Sequence, residues 1–181
     1  MPKEHSLIIK KCKNGNAKAQ MKIYDLYCDA MFNVACRYLK NHEDAKDVMQ
    51  EGFLKAFLNI DMYKETHTFG AWLKRIIINQ CIDTLRGQHI EFVNKAPETY
   101  ALADDDWQFD VSITKAAIVK SISLLEKKYN LVLTLYLIEG YDHDEISQIL
   151  NIPIGTSRTH LSRGRLQLRK LLKKEYNETG Y

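Results

Sequence analysis

The sequence has few cysteines, and it has no long apolar run. Its 4 cysteines form no C-x-x-C pair, so the sequence indicates neither a zinc site nor a disulfide framework. No apolar run approaches the roughly 18 residues of a membrane span, and the N-terminus has no signal-peptide pattern. We therefore expect a globular cytoplasmic protein without membrane insertion.

Motifs for catalysis and for cofactor binding are also missing. The sequence contains no nucleophile elbow, P-loop or H-E-x-x-H pattern, and it predicts no cofactor. One group of residues could act as metal ligands or as an acid–base pair, since three of its acids share a helix face: His42, Glu43, Asp44, Asp47 and Glu51. Acids in the first turns of a helix are, however, also expected from the helix dipole. We predict no metal site and no enzyme.

Apolar residues at helical spacing run through nearly the whole chain, and hairpin patterns are absent. Helices are predicted at about 17–39, 42–58 and 69–86, with Asn41 as an N-cap, and again at about 112–125, 129–139 and 143–150. Between them lies an acidic, non-periodic stretch with Pro97. The predicted fold is all-α, with two small helical domains, 1–87 and 112–181, joined by a flexible acidic linker, 88–111.

The net charge is only +3, but positive charge is concentrated near the C-terminus. Residues 151–174 contain seven Lys and Arg and no Asp or Glu. A short turn at Asn151-Ile152-Pro153 between two helical patterns, the second opening near Thr156, predicts a helix-turn-helix. On the last helix one arc is predicted to be buried, with two small residues that allow close packing on the preceding helix: Ile154, Ser157, Leu161, Gly164, Leu168 and Leu171.

The opposite side of this last helix is predicted to be a cationic face. It comprises Arg158, Thr159, His160, Ser162, Arg163, Arg169 and Lys170. Many Lys- and Arg-rich faces are only solvated surface. Here, however, a helix-turn-helix coincides with the backbone N–H groups at Gly155-Thr156-Ser157, which could bind a phosphate. Arg158 and Arg163 can donate two hydrogen bonds each to guanine, whereas Lys173 and Lys174 would contact phosphates or stay solvated.

A second candidate surface for nucleic acid lies at 59–86. There aromatic residues alternate with cations: Tyr63, Lys64, His67, Trp72, Lys74, Arg75 and Arg86. Aromatic rings can stack on unpaired bases while cations follow the phosphates. Trp72 is at core spacing, together with Phe69 and Gln80, so burial is predicted for these three residues. Tyr63, Lys64 and His67 are the better candidates because a loop is expected to expose them.

Two motifs, in order, resemble those of the extracytoplasmic-function sigma factors, small two-domain initiation factors of bacterial RNA polymerase. The first motif comprises Asp47-Val48-Met49-Gln50-Glu51, Phe53-Leu54-Lys55-Ala56-Phe57 and the stretch from Thr68-Phe69 to Ile78-Asn79. The second comprises Glu145-Ile146, Ile152-Pro153, Gly155-Thr156 and Leu161-Ser162-Arg163-Gly164-Arg165. Together these motifs cover most of the chain apart from the linker and the termini.

This resemblance implies a subunit that binds core RNA polymerase and directs it to promoter DNA, with an anti-sigma protein as a further partner. Four residues would contact a coiled coil of the largest polymerase subunit: Asp44, Asp47, Gln50 and Glu51. Residues near the predicted loop would bind unpaired bases of the minus-ten element: Tyr63, Lys64, His67, Lys74, Arg75 and Asn79. The last helix would read the minus-thirty-five element through Thr156, Arg158, Thr159, His160, Ser162 and Arg163. The linker would pass through the active-site and RNA-exit channels of the polymerase.

The second motif alone allows another interpretation, a stand-alone helix-turn-helix repressor or activator that binds an operator by itself. Such a regulator would need a dimer interface or an effector pocket to explain the first domain, and neither is evident in the sequence. Tight operator binding without polymerase would favour this alternative.

Overall fold

The structure is a computed structural model that describes residues 3–87 and 113–178. All elements in these two ranges are helical, which confirms the all-α prediction. The chain separates into two compact units, Met1–His89 and Ile90–Tyr181. The predicted linker, 88–111, lies outside the described residues. Within the described ranges, no helix combines the length and the low charge needed to cross a membrane.

Residues 3–87 of the first unit form four α-helices and one short 3-10 turn. They are α1 (Lys3–Lys13), α2 (Ala17–Tyr38), α3 (His42–Leu58), the 3-10 turn (Ile60–Met62) and α4 (Phe69–Gly87). Helices α2, α3 and α4 match the predicted ones within one residue at each end. Helix α1 was not predicted, since the first predicted helix begins at residue 17.

Asparagine side chains set the N-termini of α2 and α3. The Asn16 side-chain oxygen accepts a hydrogen bond from the Ala19 N–H at 2.9 Å. The Asn41 oxygen accepts one from the Glu43 N–H, also at 2.9 Å, which confirms the predicted cap. Because these N–H groups have no partner within the helix, each cap stabilises its helix by about 1 kcal/mol.

The core of the first unit lies where α2, α3 and α4 pack together. Its large buried side chains are Ile23, Tyr38, Phe69, Leu73, Ile77, Ile78 and Ile82. Helices α3 and α4 approach closely at Gly52, where an added Cβ would contact the Ile77 side chain. Phe69 is buried as predicted, but Trp72 and Gln80 are only half-buried.

Over residues 113–178 the second unit contains α5 (Lys115–Ser123), α6 (Lys127–Leu133), α7 (His143–Leu150) and α8 (Ile154–Glu178). Helix α6 begins two residues before its predicted start and continues into a π-helical turn at Thr134–Ile138. Buried side chains of all four helices meet in one core: Ile122, Leu131, Leu133, Leu135, Ile146 and Leu168.

Candidate nucleic-acid interface

Helices α7 and α8 form the predicted helix-turn-helix, and side chains fix the turn between them. Helix α7 opens with a capping box in which the Glu145 N–H donates to the Asp142 carboxylate at 2.8 Å and the Asp142 N–H donates to Glu145 at 3.1 Å. The helix ends at Leu150, and its C-cap, Asn151, has a left-handed φ of 52°. The Ser147 hydroxyl then donates to the Ile152 carbonyl at 2.6 Å. These bonds define where α8 begins.

The buried side of α8 packs against two different helices. His143 Nδ1 and the Ser157 hydroxyl share a hydrogen bond of 2.9 Å, which joins the starts of α7 and α8. At Gly164 an added Cβ would contact the Leu133 side chain and lie 3.2 Å from Tyr129 Cβ. Gly164 therefore permits close packing on α6, whereas the prediction placed that packing on α7. Ile154, predicted to be buried, is exposed.

The opposite side of α8 presents polar and cationic groups. Arg158, Lys170 and Lys173 are exposed, and four further residues are half-buried: Thr156, Thr159, Ser162 and Arg163. The Thr159 hydroxyl donates to the Gly155 carbonyl at 2.9 Å, which leaves its methyl group and the lone pairs of its oxygen for contacts outside the helix. The predicted face thus exists, and it combines strong donors with small polar groups.

Leu166 interrupts this cationic face and was missed by the sequence reasoning. Its side chain is 56% exposed. It lies four residues after Ser162 and seven after Thr159, so the three residues share one side of the helix. That spacing was available in the sequence. An exposed apolar group on a DNA-facing helix can contact the methyl group of thymine.

The predicted place of His160 on the cationic face is wrong. The side chain is only 3% exposed, and its ring packs edge-on against Tyr129 with ring centres 5.6 Å apart. Burial, together with the positive charges of Lys128 and Arg163, lowers the pKa of His160 to about 4. His160 is therefore neutral at pH 7. Its position three residues after Ser157 and four before Gly164 places it at the edge of the buried arc.

The pKa of His143, at the start of α7, is lowered by causes of the same kind. Burial lowers its pKa, and the positive charges of Arg158 and Arg165 lower it further. Its ring packs against Tyr136 at 5.1 Å, and the Arg165 guanidinium lies 5.6 Å from the centre of the Tyr136 ring. The cationic helix is thereby anchored to the π-helical turn of α6 as well as to α7.

In the first unit the predicted exposure of Tyr63 is wrong. Tyr63 is 3% exposed, and its hydroxyl donates to the His67 carbonyl at 2.8 Å. Its ring packs against Phe69 at 5.3 Å and against Trp72 at 5.4 Å. Nothing in the local sequence marks this burial, because the partners lie on α4. Tyr63 therefore anchors the loop 59–68, and this loop exposes Lys64 and His67 as predicted.

Trp72 of helix α4 is a half-exposed aromatic side chain, whereas its spacing in the sequence predicts burial. Trp72 lies three residues before Arg75 and seven before Asn79, so the three share one helix face, and the latter two are exposed. Lys74 is half-buried and lies on a neighbouring side of α4. Through the contact between Tyr63 and Trp72, the structure brings the loop and this face of α4 together.

The exposed side of α3 carries the four residues that the resemblance assigns to the polymerase. Asp47, Gln50 and Glu51 are exposed, and Asp44 is half-buried. Two leucines that the sequence reasoning missed extend this side, Leu54 at 63% exposure and Leu58 at 85%. The Gln80 amide donates to the Glu51 carboxylate at 3.0 Å and accepts from Lys55 at 3.3 Å.

In 3–87 and 113–178, no group of three His, Cys, Asp or Glu side chains could hold a metal ion.

Comparisons with known proteins agree with this arrangement. The family model for Sigma-70 region 2 matches residues 23–89, and the model for Sigma-70, region 4 matches residues 115–168. The chain is 33% identical over 177 residues to the ECF RNA polymerase sigma factor SigW of Bacillus subtilis. The aligned region covers 91% of this chain and 95% of SigW. It is 31% identical over 158 residues to the ECF RNA polymerase sigma factor SigE of Mycolicibacterium smegmatis, covering 84% of this chain and 61% of SigE.

A solved structure supports the fold. It is the sigma factor RpoE in complex with the anti-sigma factor NepR from Bartonella quintana, with a TM-score of 0.54, 22% identity and coverage of 84% of this chain and 96% of the other. Two sigma-70 regions in order and identity to SigW along nearly the whole length lead to one conclusion. The chain belongs to the extracytoplasmic-function (ECF) family of RNA polymerase sigma factors.

Proposed function

We propose that this chain binds core RNA polymerase and directs it to promoters, with its first unit engaging the minus-ten element and its second unit the minus-thirty-five element. The observation that carries this proposal is the cationic side of α8, presented by a helix-turn-helix whose turn is fixed by Ser147 and Asn151. Such a face is electrostatically unfavourable in isolation and is stabilised by a polyanion.

On α8, Arg158 and Arg163 donate to guanine in the major groove, Ser162 contacts bases or phosphates, and Thr159 contacts bases through its methyl group or its lone pairs. Thr156, in the first turn, contributes to a phosphate contact at the helix N-terminus. Leu166 adds an apolar contact further along the same side. His160 is omitted because it is buried and neutral.

The minus-ten surface consists of Lys64 and His67 from the loop and Lys74, Arg75 and Asn79 from α4, with Trp72 as its aromatic member. Extracting a base from the stack costs a few kcal/mol, and one aromatic contact recovers roughly 1–3 kcal/mol. Since Tyr63 is buried, this surface has too few rings to open DNA alone. The second unit and the polymerase must supply the remaining free energy.

The exposed side of α3 is the proposed polymerase contact. Its acids offer charge complementarity to a basic partner, while Leu54 and Leu58 offer the apolar area that protein interfaces bury at their centre. Among polymerase surfaces, the coiled coil of the largest subunit is the partner that the resemblance implies. A helical partner fits because Asp47, Glu51, Leu54 and Leu58 follow one another along one side of a helix.

We further propose that the protein acts in the cytoplasm, has no catalytic activity of its own and is inhibited by an anti-sigma protein. The last point is supported by the RpoE structure, in which that sigma factor is bound to an anti-sigma factor. An inhibitor that covers the exposed side of α3 or the cationic face of α8 would prevent polymerase or promoter binding.

A reconstitution experiment tests the proposed function. The purified chain is expected to co-elute with core polymerase, to enable run-off transcription from promoters selected from a random library, and to bind linear duplex poorly alone. The double variant Asp47→Ala, Leu58→Ala should lose co-elution, whereas Lys170→Ala should retain it. Tight sequence-specific binding without polymerase, together with no transcription, would instead indicate the stand-alone regulator. That alternative is disfavoured because residues 23–89 match region 2.

A further inference from the structure

Helix α1 precedes residues 23–89, which match region 2, yet it contacts the loop 59–68 directly. The Lys13 ammonium, in the last turn of α1, donates a hydrogen bond to the Tyr63 carbonyl at 3.3 Å. Ile9 and Cys12 are buried, so the helix is fixed to the rest of the unit by its apolar side. Tyr63 therefore holds the loop by two kinds of contact. Its carbonyl accepts the hydrogen bond from Lys13, and its ring packs against Phe69 and Trp72.

A second contact joins the other end of α1 to the same aromatic cluster. His5 Nε2 and the Tyr27 hydroxyl share a hydrogen bond of 2.9 Å. The His5 ring also lies edge-on to Phe69, with ring centres 6.3 Å apart. Phe69 in turn contacts Trp72 at 5.4 Å, so the rings form a continuous chain from α1 to the half-exposed tryptophan.

We propose that α1 positions the loop 59–68 for unpaired minus-ten bases, with Lys13 acting on the Tyr63 carbonyl and His5 acting on the aromatic cluster. Both are positioning residues, since neither needs to touch DNA. This inference rests on the proposed function of the loop. Its physical basis is that an irregular loop binds a base more tightly when its backbone is fixed before binding, because less conformational entropy is then lost on binding.

The experiment compares four variants of the full chain, Lys13→Met, Lys13→Arg, Lys10→Met and His5→Ala, each assembled with core polymerase. Lys13→Met removes the donor, Lys13→Arg retains a donor and the charge, and Lys10→Met removes the same charge from an exposed position on the same turn. Run-off transcription is measured on two promoter series, one with single substitutions in the minus-ten element and one with single substitutions in the minus-thirty-five element. Thermal unfolding of each variant checks that it is folded.

We expect Lys13→Met to lose roughly fivefold in discrimination between minus-ten bases, the scale of one hydrogen bond, with an unchanged minus-thirty-five profile. Lys13→Arg and Lys10→Met should match the wild type, and His5→Ala should change the minus-ten profile in the same direction as Lys13→Met. An unchanged minus-ten profile in Lys13→Met, or equal losses in both series, would overturn this inference but leave the proposed function intact. If the wild type itself failed to initiate, the proposed function would be wrong, and the inference with it.

Discussion

The two candidate DNA-contacting surfaces are built in opposite ways. On α8, the proposed contact residues belong to a regular helix whose other side, including Ser157, Leu161 and Leu168, is buried. In the first unit, the proposed contact residues lie on an irregular loop that is attached through the buried Tyr63 and on helix α4. A regular helix fits the major groove of intact duplex, whereas unpaired bases need exposed rings and irregular backbone. We therefore expect damage to either surface to affect a single promoter element.

The largest expected effect is on the stability of the second unit and comes from His160, a buried titratable residue of α8. His160 has a folded pKa of about 4 against roughly 6.5 when unfolded, so the unfolded chain binds more protons between these values. The contribution of neutral His160 to the free energy of unfolding is complete above about pH 6.5 and is lost as the pH falls toward 4. At about 1.4 kcal/mol per pKa unit, a difference of about 2.5 units amounts to at most about 3.5 kcal/mol.

Urea unfolding at several pH values measures this effect, with His160→Phe as the comparison. The variant retains a ring against Tyr129 but cannot titrate, so its free energy of unfolding should fall less than that of the wild type between pH 6.5 and 4. His143, whose pKa is also lowered, is present in both proteins and does not affect the difference. Identical pH profiles for the two proteins would show that His160 is not buried as described.

An intermediate effect is expected on the exposed side of the same helix. Arg158→Ala should weaken preference at one minus-thirty-five base pair by about 1–3 kcal/mol, because a bidentate contact to one base is lost. Lys173→Ala, near the other end of the face, should weaken all sequences alike, since a phosphate contact carries no sequence information. Competition binding of the holoenzyme to substituted promoters provides the measurement. Uniform losses from both variants would argue against base reading by Arg158.

The smallest expected effect is in the loop. Tyr63→Phe keeps the ring contacts with Phe69 and Trp72 but removes the hydrogen bond to the His67 carbonyl, which contributes about 0.5–1.5 kcal/mol. Affinity of the holoenzyme for a single-stranded minus-ten oligonucleotide should fall accordingly, while binding of the upstream duplex should not change. Tyr24→Phe is the matched control, because Tyr24 packs on Phe53 instead. An equal loss in the control would rule out a specific role for the loop.

The sequence predicts the regular parts of both units well. Helices α2, α3, α4 and α7 have apolar residues at helical spacing and residues such as Asn41 and Asp142 at their N-termini, so local patterns suffice to place them. The helix-turn-helix and the polar side of α3 were predictable for the same reason. Residues such as Arg158 and Glu51 are exposed because they lie opposite an apolar arc.

The remaining features depend on contacts between residues distant in sequence. Tyr63 is buried by rings of α4, and His160 is buried by Tyr129 of α6, so a local pattern alone makes both resemble surface residues. Lys13 matters only because the fold places it beside the Tyr63 carbonyl. The π-helical turn at Thr134–Ile138 likewise has no local marker in the sequence. These positions are determined by tertiary packing, because packing contributes more free energy than local conformational propensity does.

Site-specific photocrosslinking tests most directly whether two surfaces engage one promoter at two places. A photoreactive amino acid replaces Arg158 in one protein and His67 in another, and each is assembled with core polymerase on the same promoter. We predict that the α8 probe marks upstream duplex and that the loop probe marks unpaired bases near the start site, the latter only with polymerase present. Crosslinks from both probes to one site, or loop crosslinks to duplex without polymerase, would contradict a division of promoter recognition between the two units.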